Sequence, residues 1–119
     1  MIALTAPMVG TPEKEAVIRV LESGMLAQGP EVAQFEQEFA DTVQGRHCIA
    51  VNSGTSALHL GLLAAGVGQG DEVIVPTFTI ISCVSAIVRA GALPVLVDLN
   101  PETWTMDIDQ INSRITSKT

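Results

Sequence analysis

A chain of 119 residues is long enough for one domain and no more, and at 47% hydrophobic and 16% charged it has the composition of a buried core rather than of a disordered segment. The formal net charge of −7 argues against nucleic acid and against an anionic membrane surface, because both are held by Lys and Arg. With three Phe, one Trp and no Tyr, the core falls to Ala, Val, Ile and Leu.

The first ten residues read as extended, since Pro7 blocks an early helix. Thr11-Pro12-Glu13 is a helix start: a hydroxyl N-cap, Pro at the first helical position, then an acid in the first turn. Ala16, Val17, Val20 and Leu21 supply an apolar face, and Gly24 ends the helix. Pro30 opens a second helix with Val32, Phe35, Phe39 and Val43 on one face. Glu31, Glu36, Glu38 and Asp41 form its solvated side, and Gly45 stops it. These two helices account for residues from about 11 to 45.

The stretch Cys48–Leu60, CIAVNSGTSALHL, organises the rest. Cys48–Val51 has the small and β-branched residues of a buried strand. Asn52, Ser53, Gly54, Thr55 and Ser56 favour a turn and a helix N-cap, and Ala57–Ala65 reads as a buried helix. A strand that turns through Gly into a helix aims several backbone N–H groups one way, at the positive end of the helix dipole. That is an anion site, most commonly for phosphate. The same residues also serve as an ordinary strand-to-helix turn, so both readings stand at this point. The spacing is neither GxxxxGK[ST] nor GxGxxG, which disfavours a mononucleotide or dinucleotide and leaves a small phosphorylated ligand.

After a Gly-rich loop, Glu72–Val75 reads as a strand ended by Pro76, and Ile80–Ala90 as a mostly buried helix. Arg89 suits its last turn and Gly91 its C-cap. Leu93–Val97 is a further strand ending at Asp98, so residues from about 46 to 98 form a βαβαβ run with a parallel sheet. Ile108, Ile111 and Ile115 mark a last helix over about 107–116, capped by Asp107 or Asp109. His59 reads as a hydrogen-bonded core histidine, and Trp104 as an anchor for the loop before that helix or a contact for a partner subunit.

His47–Gly70 lacks Asp, Glu, Lys and Arg, but its hydroxyl, amide and glycine residues leave the apolar part too short for a membrane span. No basic segment followed by an apolar core opens the chain, so no secretory signal is visible. Cys48 and Cys83 fit the buried free thiols of a cytoplasmic protein. Two Cys and two His at unrelated spacings do not make a metal site. Three parallel strands cannot easily close a core with helices on both faces, so the chain looks like the first part of a larger domain.

The runs QGPEVAQFEQEFA, AVNSGTSALHLGLLAAGVGQGDEVIVPTFTI and AIVRAGALPVLVDLNPETWTMD resemble the N-terminal part of the DegT-like nucleotide-sugar aminotransferases, from about Pro7 to Ile115. The wording is most similar to the perosamine-synthase type, which aminates the C4 ketone of a nucleotide-linked deoxysugar. The resemblance implies an α/β fold, the N-terminal part of the large domain of the aspartate-aminotransferase-like architecture (PLP fold type I), with parallel strands and flanking helices. It implies pyridoxal 5'-phosphate as cofactor, its phosphate held at Gly54, Thr55 and Ser56. Ile80 stands where the family usually stacks an aromatic on the pyridine ring, and Phe78 lies two residues away as a substitute. Met25 and Leu26 correspond to a segment near the sugar.

The resemblance further implies a nucleotide-sugar substrate, glutamate as amino donor and, at full length, a homodimer. Aminotransferase chemistry needs a Lys that forms an imine with the cofactor and an acid paired with the pyridine nitrogen. In the family both come later than the region matched. Lys14 and Lys118 are the only lysines, one in the first turn of an exposed helix and one beside the terminus. No catalytic residue is therefore expected in this chain. Two alternatives stay open: a relative with His in place of that Lys that dehydrates sugars, and a truncated or partner-dependent half-domain.

Overall fold

The computed structural model describes residues 5–119, which divide into a first unit ending at Ala50 and a second running from Val51 to Thr119. The first holds helices α1 (Thr11–Ser23) and α2 (Pro30–Thr42). Helix α1 is capped one residue earlier than the Thr11 hydroxyl suggested. Gly10 is the N-cap, and Glu13 Oε2 reaches back to accept its amide at 2.6 Å. A carboxylate three residues into the helix satisfies one orphan donor from below, so no side chain is needed at the cap itself.

That bond holds the Glu13 carboxyl below the usual glutamate range, first through the Gly10 amide and then through its own. A depressed folded-state value adds stability above the unfolded value, and the stability is lost as pH falls through the folded one. The Gly10 amide resonance is expected to titrate with a midpoint below that of a glutamate in the corresponding unfolded peptide, and to stop titrating in Glu13→Gln. A midpoint at or above the peptide value would contradict the cap.

Gly24 closes α1 at φ +71° with its amide on the Leu21 carbonyl, and the Gly45 amide returns 2.8 Å to the Ala40 carbonyl past the end of α2. The acids of α2 are not all solvated as expected: Glu36 Oε1 accepts the Ala50 amide at 2.7 Å. Arg19 and Glu31 pair across α1 and α2 at 3.2 Å, at an exposed position where such pairs add little. Only Ala40 is buried in either helix.

The second unit runs α3 (Gly54–Ala64), β1 (Glu72–Pro76), α4 (Ile81–Arg89), β2 (Leu93–Val97) and α5 (Ile108–Arg114). Strands β1 and β2 pair in parallel with Glu72 opposite Leu93 and Pro76 opposite Val97. The core gathers around Val75, Ile87 and Ala92, with Leu62, Val67, Val73, Cys83 and Val84 packed against it. Gly91, at φ +87°, makes the sharp turn from α4 into β2, a left-handed conformation that a side chain disfavours. Asp107 caps α5 by accepting the Asp109 amide. The tail comes back to the amino end of β1, where the Glu72 amide donates 2.8 Å to the Lys118 carbonyl and Thr116 Oγ1 donates to Glu72 Oε2.

The structure corrects several expectations about the stretch from Cys48 onward. Cys48–Val51 forms no strand among the described residues: the sheet has two strands, and Ile49 is 82% exposed. A strand exists only when its backbone groups pair with a neighbouring strand, and among the described residues no strand pairs with this segment; the Ala50 amide goes to the Glu36 carboxylate instead. Nor is α3 a buried helix, because no residue of it is buried and Leu58, Leu60 and Leu63 are close to half exposed. Helix α3 lies against α4 and leaves an open apolar groove of 490 Å³ lined by Leu58, Leu62, Val73, Val75, Cys83 and Ile87 among others. His59, expected in the core, and the two free thiols are half-buried. No described helix is long and apolar enough to cross a membrane.

Candidate functional site

The turn Asn52–Ser56 builds the first turn of α3. Ser53 is its N-cap in extended geometry (φ −164°, ψ 157°), and its hydroxyl accepts the Ser56 amide at 3.2 Å. The Ala57 amide goes to the Ser53 carbonyl. Helix geometry leaves the first amides without intrahelical acceptors, and the cap satisfies only that of Ser56. The amides of Gly54 and Thr55 are therefore left without a partner among the described residues.

Beyond the turn's own chain, nothing lies within 4 Å of where a Cβ on Gly54 would stand, and Gly54 is exposed, so the start of α3 is uncrowded there. No acid occupies the first turn of α3, whereas α1, α2 and α5 carry Glu13, Glu31 and Asp109 there. The helix dipole and the two free donors thus have no competing carboxylate in that turn, the electrostatics an anion requires.

Side chains brace this turn from two sides. Ser56 Oγ donates to Asn52 Oδ1 at 2.6 Å and lies 3.0 Å from Ser53 Oγ. Thr55 Oγ1 donates 2.8 Å to Ser82 Oγ in the first turn of α4, a half-buried bond that ties the amino ends of the two helices together. Ser82 follows the turn leaving the carboxyl end of β1, so the cup sits at that end of the sheet, where ligands of open α/β sheets bind. Neither Asn52 nor Ser82 stood out as a brace in the sequence. Their only mark is a polar side chain near a helix start.

The turn after β1 is itself anchored. The Thr77 amide donates to the Val97 carbonyl at 2.9 Å, and Thr77 Oγ1 to Asp98 Oδ1 at 3.1 Å. Ile80 is the N-cap of α4 with an exposed side chain, two residues from Ser82. Phe78 is engaged elsewhere: its ring meets Trp104 edge-on, with centroids 6.1 Å apart. Trp104 is held at φ +58° by a turn in which its amide donates to the Asn100 carbonyl. Met25 and Leu26 belong to the first unit, in the exposed connection between α1 and α2.

The family profile of the DegT/DnrJ/EryC1/StrS aminotransferases matches residues 7–119. The chain belongs to this family. It is 43% identical to the spore coat polysaccharide biosynthesis protein SpsC of Bacillus subtilis over 113 residues, 95% of this chain and 29% of that protein. It is likewise 43% identical to a GDP-perosamine synthase of Escherichia coli O157:H7 over 119 residues, 99% of this chain and 33% of the synthase. The PLP-form of the sugar aminotransferase Spr1654 from Streptococcus pneumoniae superposes with a TM-score of 0.90 at 37% identity, over 99% of this chain and 30% of that one. The chain thus spans about a third of the length of the relatives it matches. Its α/β fold, parallel strands with flanking helices, is the one found in these DegT-family aminotransferases.

Proposed function

We propose that this chain is the phosphate-holding, N-terminal part of a pyridoxal-phosphate-dependent aminotransferase that transfers an amino group from glutamate to the ketone of a nucleotide-linked deoxysugar. Family membership supports the reaction class. The likeness to a GDP-perosamine synthase supports a nucleotide sugar, and the PLP- and PMP-forms of a similar structure support the cofactor. The reading takes the working enzyme as a cytoplasmic homodimer, with Met25 and Leu26 as contacts to the sugar.

The single observation that carries the reading is the pair of unpartnered amides, Gly54 and Thr55, at the Ser53-capped start of α3. They fit a phosphate. When bound, the cofactor supplies an electron sink for moving a proton at the carbon that carries nitrogen. The residues here bind and orient. Gly54 and Thr55 donate to phosphate oxygens, Ser56 fixes the loop through Asn52, and Ile80 offers an aliphatic surface to the ring. Anchoring one end of a reactant this firmly restricts its motion before any chemistry occurs.

Gly54→Pro tests this cleanly. Gly54 is the first helical position, where Pro is well tolerated, and Ser53 before it is already extended, as a residue preceding Pro prefers. The change removes one amide donor and leaves the helix. Binding of pyridoxamine phosphate is expected to weaken by about tenfold, the loss of one hydrogen bond to a charged group, with pyridoxamine unaffected. Equal affinities for pyridoxamine phosphate in native and variant protein would dismiss the cup as its phosphate site.

A further inference from the structure

We infer that Ser82, on α4, is a further phosphate-binding residue: it accepts a hydrogen bond from the Thr55 hydroxyl and donates one of its own to the anion. The inference rests on reading the start of α3 as the phosphate cup.

Four hydroxyls belong to the start of α3 and its brace on α4: Ser53, Thr55, Ser56 and Ser82. Ser56 Oγ donates to Asn52 Oδ1 at 2.6 Å. Ser53 Oγ accepts the Ser56 amide, and its own proton has Asn52 Oδ1 at 3.5 Å or Ser56 Oγ at 3.0 Å to go to. Thr55 Oγ1 donates to Ser82 Oγ at 2.8 Å. Each of these protons already has an acceptor within the protein. Ser82 accepts, and its own proton is without an acceptor among the described residues. A phosphate dianion needs donors, and a hydroxyl whose proton has no other acceptor serves it without giving up a bond inside the protein.

Ser82 meets the need in two ways. It lies one hydrogen bond from Thr55, whose amide is one of the two free donors of the cup. A hydroxyl that accepts a hydrogen bond is also polarised into a better donor. The pair therefore acts as a short relay from Thr55 to Ser82 to phosphate, and it recruits the second helix to a site that the Ser-Gly-Thr turn alone would assign to the first. Ser82 sits in the first turn of α4, which has no side-chain cap and no acid, so nothing there competes with the incoming charge.

The test uses the full product of the gene and compares pyridoxamine phosphate with pyridoxamine by calorimetry, neither of which needs a covalent link to bind. Ser82→Ala is expected to raise the Kd for pyridoxamine phosphate about tenfold and leave that for pyridoxamine unchanged, with Ser82→Thr close to the native protein. Combined with Thr55→Val, the losses are expected to be less than additive, because the two hydroxyls act in series. Full affinity in Ser82→Ala with a loss in Thr55→Val would overturn the relay while leaving the cup in place. An equal loss for both ligands would also overturn it, since Ser82 would then serve only helix packing. The cup itself stands or falls on Gly54→Pro, so the two failures are distinguishable.

Discussion

Borohydride reduction of these 119 residues in the presence of pyridoxal phosphate is expected to leave no stoichiometric adduct on either lysine. Lys118 is at the wrong end of the sheet. Its carbonyl accepts the Glu72 amide at the amino end of β1, whereas the cup stands beyond the carboxyl end, past Pro76. A five-residue strand separates those ends by roughly 13 Å. Lys14 is exposed in the first turn of α1. Without a lysine to move the proton, transamination is expected to fall by at least about a hundredfold to ten-thousandfold, the usual contribution of a positioned acid or base. Peptide mass mapping after reduction reads the adduct, and amino transfer to a keto-sugar nucleotide reads the rate. Full labelling at Lys14 or Lys118 together with turnover would defeat the reading of this chain as the phosphate-holding part alone.

The second large effect is on stability. Ile87→Ala is expected to destabilise the second unit by about 3 kcal/mol, within the range found when a buried aliphatic is cut back to Ala. Ile87 is 3% exposed and packs with Val75 and Ala92 between the helices and the sheet. Its neighbour Val88 is 58% exposed, so Val88→Ala is the control and should be close to neutral, the better helix propensity of Ala offsetting the small loss of contact. Urea unfolding followed by far-UV circular dichroism compares the two. Equal midpoints would mean that the cluster around Ile87 does not hold this unit together.

Much of this could be read in the residues, and the reasons are local. Glu72–Val75 and Leu93–Val97 are short β-branched runs between turn residues, and the structure places β1 and β2 on them, with Pro76 as the last residue of β1. Gly24 and Gly91 sit past helix ends at positive φ, where glycine is the residue that fits. Thr77–Thr79 is the turn between β1 and α4, and Asp98 at its strand end accepts from Thr77. What was not legible is whatever depends on a partner distant in sequence. Cys48–Val51 has strand composition, but pairing is not a property of four residues. An Ala- and Leu-rich helix such as α3 looks buried whether or not anything covers it. Glu36 resembles any surface acid until the Ala50 amide is seen against it. Ser82 is one hydroxyl among many in the sequence, and only the fold brings it to Thr55.

The parallel pairing of β1 and β2 has a consequence for the order in which this protein takes shape. Its register keeps a constant offset of 21 residues, Glu72 to Leu93, and the tie between Thr55 and Ser82 spans 27. Loop-closure entropy grows with the logarithm of length, so closing 21 residues rather than the whole 119 saves about 1.5 kcal/mol before any contact forms. A ribosome releases the chain amino end first, and every residue of the proposed anion cup and its braces has emerged once Val97 is out. The start of α3 and its tie to α4 are thus an early product of synthesis, assembled from short-range closures while later segments are still being made.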